Sequence, residues 1–118
     1  MIVLICGGRE YDDRESIIRR IAQLPPESIV ITGAARGTDT LAMQEAIAHG
    51  FHSASVPALW NRYGKMAGHL RNEAMLRLGP ELVIAFPGGP GTRNCCHQAE
   101  ALGIPVERIS PQKKAPPR

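Results

Sequence analysis

Three short stretches carry the residue types from which an anion site can be built: "CGGRE" (Cys6–Glu10), "TGAARGTDT" (Thr32–Thr40) and "FPGGPGT" (Phe86–Thr92). Each places glycines after an apolar run and ahead of a helical pattern. Glycine lets the main chain approach a ligand closely, and free N–H groups at a helix start attract phosphate or carboxylate. The candidates for such binding are Gly7, Gly8 and Arg9, then Gly33, Arg36, Gly37, Thr38 and Asp39, and finally Pro87, Gly88, Gly89, Gly91 and Thr92. A plainer reading competes: tight strand-to-helix turns need glycine whatever the function. For a single loop the two readings weigh about the same. Three loops together, two of them with an arginine, favour a ligand. There is no G-x-G-x-x-G after the first apolar run and no G-x-x-x-x-G-K-[ST], which argues against an ordinary dinucleotide or P-loop NTPase site.

Side chains add to this backbone chemistry. Thr38 and Thr92 fall at helix starts, where a hydroxyl caps a helix or bonds a phosphate oxygen, with capping slightly ahead. Asp39 fits two roles equally, a first-turn acid favoured by the helix dipole or an acceptor for a ribose hydroxyl. Arg71 shares a helical stripe with Ala67 and Met75, and a charge among apolar neighbours requires a partner. It either passes the core edge to reach water or clamps a phosphate or carboxylate bidentately. Asn72 faces elsewhere, toward a cap or a loop. Trp60 and Tyr63, with Arg62 and Lys65 between and after them, offer a stacking surface for a base. Packing is the stronger reading for Trp60, and Tyr63 is kept as a stacking candidate.

Cys95 lies on a stripe with Ala99 and Leu102 and reads as a small buried hydrophobe. A nucleophilic role for it lacks a base in the sequence. Consecutive residues in "CCH" diverge around a helix, and the four histidines show no ligand spacing, so neither a metal nor a cofactor is expected.

These residues need elements to hold them. "IVLIC", "SIVIT", "FHSASVP", "ELVIAF" and "IPVERI" read as strands. "DDRESIIRRIAQL" reads as a helix with Ile17, Ile21 and Leu24 inward. A second runs from about Thr38 to His49, burying Ala42, Met43, Ala46 and Ile47. "ALWNRYG" reads as a loop, "KMAGHLRNEAMLRLG" and "RNCCHQAEALG" as helices. Alternating strands and helices predict an α/β, Rossmann-like three-layer sandwich with a mostly parallel five-stranded sheet. The expected order is 3-2-1-4-5, with ligands beyond the strand C-termini where the order reverses.

Composition bounds the rest. With 118 residues the chain is one domain, expected over 1–109, followed by a basic, Pro-rich tail over 110–118 that is expected to be disordered. The net charge of +3 is matched by the two lysines and one arginine of "PQKKAPPR", so the body is near neutral and a nucleic-acid-coating surface is not indicated. No apolar run reaches membrane-span length, the start lacks a signal-peptide pattern, and three cysteines with two adjacent fit reduced thiols in a cytoplasm.

"GGREYDD", "ITGAARGTD", "WNRYGKMAGHLRNEAM" and "VIAFPGGPGT" together resemble the small YspA-type (DUF2493) proteins of the SLOG superfamily, over Met1 to about Val106. The resemblance implies a Rossmann-like fold, kinship with LOG phosphoribohydrolases and DprA, and a nucleotide-derived ligand such as an ADP-ribose-like molecule. It also implies a homo-oligomer. By this resemblance "PGGPGT" matches the LOG phosphate loop, and "RNEAM" matches R-x-x-x-M, which makes Arg71 the counterpart of a catalytic arginine. The catalytic glutamate of PGG-x-GT-x-x-E would fall at Cys95, a poor substitute for a group that activates water. The departure favours binding or sensing over hydrolysis of a nucleoside 5′-monophosphate, with Glu73 or Asp39 as the carboxylates left to compensate. Single-stranded nucleic-acid binding ranks third.

Overall fold

The computed structural model describes residues 1–111; the tail expected over 110–118 lies almost wholly outside them. Five strands form one parallel sheet: β1 (Ile2–Cys6), β2 (Ile29–Thr32), β3 (His52–Ser55), β4 (Leu82–Ala85) and β5 (Val106–Arg108). Their order is β3-β2-β1-β4-β5, as the sequence predicts, and every pairing is parallel.

Alternate residues of the central strand serve two cores. Val3 and Ile5 point to one face, where α1 (Arg14–Ile21) and α2 (Thr38–Ala48) supply Ile17, Ile21, Ala42 and Ala46. Leu4 and Cys6 point to the other, where α4 (Ala67–Arg77) and α5 (Pro90–Ala101) supply Met75, Leu76, Cys95 and Ala99. A strand covered on both faces must be apolar throughout, which is why "IVLIC" does not alternate with polar residues. The helix α1 begins where Asp13 accepts a bond from the Ser16 N–H at 3.2 Å. Winding runs outward from β1 to β3, then returns across the sheet to β4. The reversal between β1 and β4 leaves a crevice at their carboxyl ends.

Three local expectations change. "ALWNRYG" is partly ordered, as a single turn α3 (Trp60–Tyr63) and a 3₁₀ turn over Gly64–Met66. Ile47 is 58% exposed, because the inward stripe of α2 is narrow, centred on Ala42 and Ala46, with Met43 only half-buried. Leu102 is also exposed: α5 stops at Ala101, and the next residue turns out to solvent.

Candidate functional site

The loops after β1, β2 and β4 meet at one edge of the sheet, joined through a single residue, Gly8. The Gly8 N–H donates to the Pro87 carbonyl at 2.9 Å. The Gly8 carbonyl accepts from the Thr38 N–H at 3.2 Å and from the Thr38 hydroxyl at 3.1 Å. Thr38 therefore caps no helix of its own; it ties the second loop to the first, and Gly37 stands at the N-cap. Thr92 likewise lies inside α5, whose N-cap is Gly89.

Close approach explains Gly37 and Gly88. Gly37 has φ of +74°, and a Cβ there would lie 2.4 Å from the Arg9 carbonyl oxygen. At Gly88 a Cβ would lie 2.2 Å from the Thr92 hydroxyl and 2.7 Å from the Gly8 nitrogen. Gly89 and Gly91 differ: a Cβ at either would meet nothing within 4 Å.

Above this joint is a cleft of about 380 Å³. Of the residues singled out in the sequence, Gly7, Gly8, Arg9, Asp39, Arg71, Asn72, Gly89, Gly91 and Thr92 line it. Gly37, Thr38, Pro87 and Gly88 do not line it, and Pro87 and Gly88 line a separate hollow. Gly33 and Arg36 flank an adjoining hollow that shares Arg9, Trp60 and Arg71. Arg36 is exposed and pairs with Glu10. Between Gly33 and Arg36, Ala34 adopts φ of +58°, a left-handed conformation costing on the order of 1 kcal/mol in a residue with a Cβ.

Arg71 is held in place. Its Nη1 donates to the Gly33 carbonyl at 2.7 Å, and its Nε donates to Asn72 Oδ1 at 3.0 Å. Buried Asn72 donates onward to the Gly91 carbonyl at 3.2 Å and to Asn94 Oδ1 at 3.0 Å. Two guanidinium nitrogens are thus engaged by the protein. The guanidinium is therefore not free as the full fork the sequence suggests.

Asp39 sits beside this chain, 6% exposed, accepting from the Ala35 N–H at 3.2 Å. Burial pushes its carboxyl above the ordinary range, opposed by the Ala35 and Gly33 N–H groups and by the Arg71 and Arg9 charges. Of the two carboxylates considered for hydrolysis, Asp39 faces the cleft. Glu73 lies on the other side of α4, paired with Arg77 along a second hollow. Cys95, at the glutamate position, is buried against the sheet.

Trp60, read from the sequence as a packing residue, is not buried, and Tyr63, kept as the stacking candidate, lies away from the cleft. Trp60 is 48% exposed and lines the cleft, with the Arg9 guanidinium 5.5 Å from its ring centroid. Tyr63 lines the second hollow, with Arg62 over its ring. Gly68 of α4 lines the same cleft, and a Cβ there would lie 3.5 Å from the Trp60 ring, an ordinary contact distance, so Trp60 does not explain the glycine.

With this geometry in place, comparison with known proteins gives the class. The model of the YspA, cpYpsA-related SLOG family matches residues 1–63. The Gene 61 protein of Mycobacterium phage D29 is 38% identical over 117 residues, covering 88% of this chain and 92% of that protein. The chain belongs to the YspA-related SLOG family.

Among solved structures, the DNA processing protein A (DprA) of Streptococcus pneumoniae superposes with a TM-score of 0.79 at 21% identity. It covers 93% of this chain, which spans 50% of the length of DprA. TM1055 superposes with a TM-score of 0.70 at 20% identity, over 89% of this chain and 71% of that one. Both establish a shared Rossmann-like fold. No helix among the described residues is long and apolar enough to cross a membrane.

Proposed function

We propose that this protein binds a phosphorylated, nucleotide-derived small molecule, of the ADP-ribose or nucleoside-monophosphate kind, in the cleft over β1 and β4. One observation carries the reading: the N-terminus of α5 opens into the cleft beside Arg71. Pro90 has no N–H to offer, but those of Gly91 and Thr92 lie in the first turn, where a helix provides no partner of its own. Phosphate oxygens there would meet main-chain donors, the positive helix end and a fixed guanidinium. Trp60, with Arg9 against it, stands at the same cleft to stack a base. Membership of the SLOG family supports a nucleotide-related ligand at the coarse level.

A thermal-shift screen of AMP, ADP-ribose and inorganic phosphate tests this, because a ligand that prefers the folded state raises its Tm. Trp60 is the chain's one tryptophan, so its emission reports occupancy without a label. Arg71→Ala, with its fold checked by circular dichroism, is expected to lose the shift. Persistence of the full shift in that variant, or no response to any nucleotide, overturns the reading.

A second reading is hydrolysis of the N-glycosidic bond of a nucleoside 5′-monophosphate, and Asp39 is the observation that favours it. A carboxyl held above its usual range retains a proton closer to neutrality, as protonating a leaving base requires. Incubation with AMP and chromatography for adenine decides it; Asp39→Asn should abolish release while ligand binding survives. A homo-oligomer, implied by the family, is tested by light scattering; exposed Leu59 and Leu70, which line one hollow beside α4, are apolar residues that such a contact would cover.

A further inference from the structure

All three cysteines of the chain converge, although two are neighbours in one helix. Cys6 ends β1 and faces α5, where Cys95 and Cys96 pack against it in the same core cluster. All three are free thiols. Two of them also reach the edges of separate hollows that share Thr92 at the start of α5. Cys6 lines the cleft of the candidate site. Cys96 lines a separate hollow with Phe86, Arg93, His97 and Arg108.

The thiols are not equivalent. Hydrogen bonding to Cys95 and Cys96, then burial, pushes the Cys6 thiol well above its ordinary range. The Cys96 thiol is lowered to about 7, chiefly by the hydrogen bond from Cys6 and further by the Arg108 charge, with burial and Glu100 opposing. Cys96 is thus the readier of the two to ionise, and it is the one that lines the hollow with Arg108. A thiolate stabilised by a neighbouring thiol and a cation is the arrangement that makes cysteine nucleophilic.

We propose that Cys96 and Cys6 form an oxidant-reactive dithiol, in which Cys96 takes oxygen from a hydroperoxide entering by the Arg93–His97–Arg108 hollow and Cys6 resolves it as a disulfide. In the first step the Cys96 thiolate attacks one peroxide oxygen. The O–O bond breaks, giving Cys96 sulfenic acid and an alkoxide or hydroxide that takes a proton from water. In the second step the Cys6 sulfur attacks the Cys96 sulfur, the S–O bond breaks, and water leaves with the Cys6 proton. Two thiols lose two electrons and the peroxide gains them. The product ties the carboxyl end of β1, just before Gly7 and Gly8, to the first turns of α5, two of the walls of the candidate cleft. The chemistry holds whether or not that cleft takes a nucleotide.

Treating the native protein with hydrogen peroxide, followed by trypsin and mass spectrometry without reductant, tests the proposal. The expected product joins "MIVLICGGR" to "NCCHQAEALGIPVER" within one chain, with loss of two hydrogens, and fragmentation places the bond on Cys96. Cys95→Ser should keep the link. Cys96→Ser should lower peroxide consumption about tenfold or more. Cys6→Ser should leave a sulfenic acid at Cys96 that dimedone captures, a readout that stands even if Cys96→Ser does not fold. Thiols that stay reduced under peroxide, a link made through Cys95, or links formed only between chains would each overturn it.

Discussion

The loops that precede α2 and α5 look alike in sequence and differ in use. Both are glycine-rich, both follow a buried strand and both carry a threonine in the first turn of the helix. At α2 the helix end is spent on the protein: the Thr38 N–H and hydroxyl both bond the Gly8 carbonyl, and Gly37 presses on the Arg9 carbonyl. At α5 the packed glycine is Gly88, one step before the N-cap, while Gly89 and Gly91 face open space. Glycine is therefore not one signal. In the first loop it lets backbone meet backbone. In the second it also leaves a helix end uncovered, where a ligand can reach it.

Substitutions separate the two uses. The largest effect is expected from Gly37→Ala, which combines a left-handed φ with a Cβ against backbone that cannot move aside. A loss of about 3 kcal/mol or more should appear in denaturant unfolding. Gly88→Ala should cost about 2 kcal/mol, since the Thr92 side chain can yield but the Gly8 backbone cannot. Gly91→Ala inverts the pattern. Stability should hold, or rise by up to about 1 kcal/mol as a helical glycine is replaced. The nucleotide-induced rise in Tm should shrink, because a methyl group then projects from the helix end that lines the cleft. A Gly91→Ala variant that unfolds easily yet binds normally would erase the distinction between the loops.

The smallest effect concerns pH. Asp39 has a raised folded-state pKa, so its contribution to stability is fully present below the unfolded value and is lost as pH rises through the folded one. Ligand-free protein should therefore be less stable at neutral pH than Asp39→Asn, with the gap closing in acid. Parallel melting curves of both proteins across pH measure it. A constant gap would mean that Asp39 is not the titrating group.

Much of the fold was legible because it depends on local pattern. Short β-branched runs alternating with helical stripes allow few arrangements other than a doubly wound parallel sheet. The order 3-2-1-4-5 was one choice among those such sheets allow, and the structure matches it. The loops bearing the candidate site could be marked too, since strand C-termini in this class share one edge. Individual roles were less accessible. Tyr63 and Trp60 are three residues apart in one short turn, and nothing local says which faces the cleft. Ile47 and Leu102 were misplaced because periodicity gives the direction of a stripe but neither its width nor the last residue of the helix.

Residue order was sufficient for the layered architecture and for glycine-rich loops gathered at the carboxyl ends of the strands. Which glycines are jammed and which are free, that Arg71 reaches the cleft already anchored on Gly33 and Asn72, and that three cysteines meet, all came from the assembled chain. The physical reason is range. Strand and helix patterns arise between residues a few positions apart, whereas Gly8 meeting Thr38 and Pro87, or Cys6 meeting Cys96, involves segments about 30 to 90 positions away in the chain. Those distances are closed only by packing both faces of the sheet.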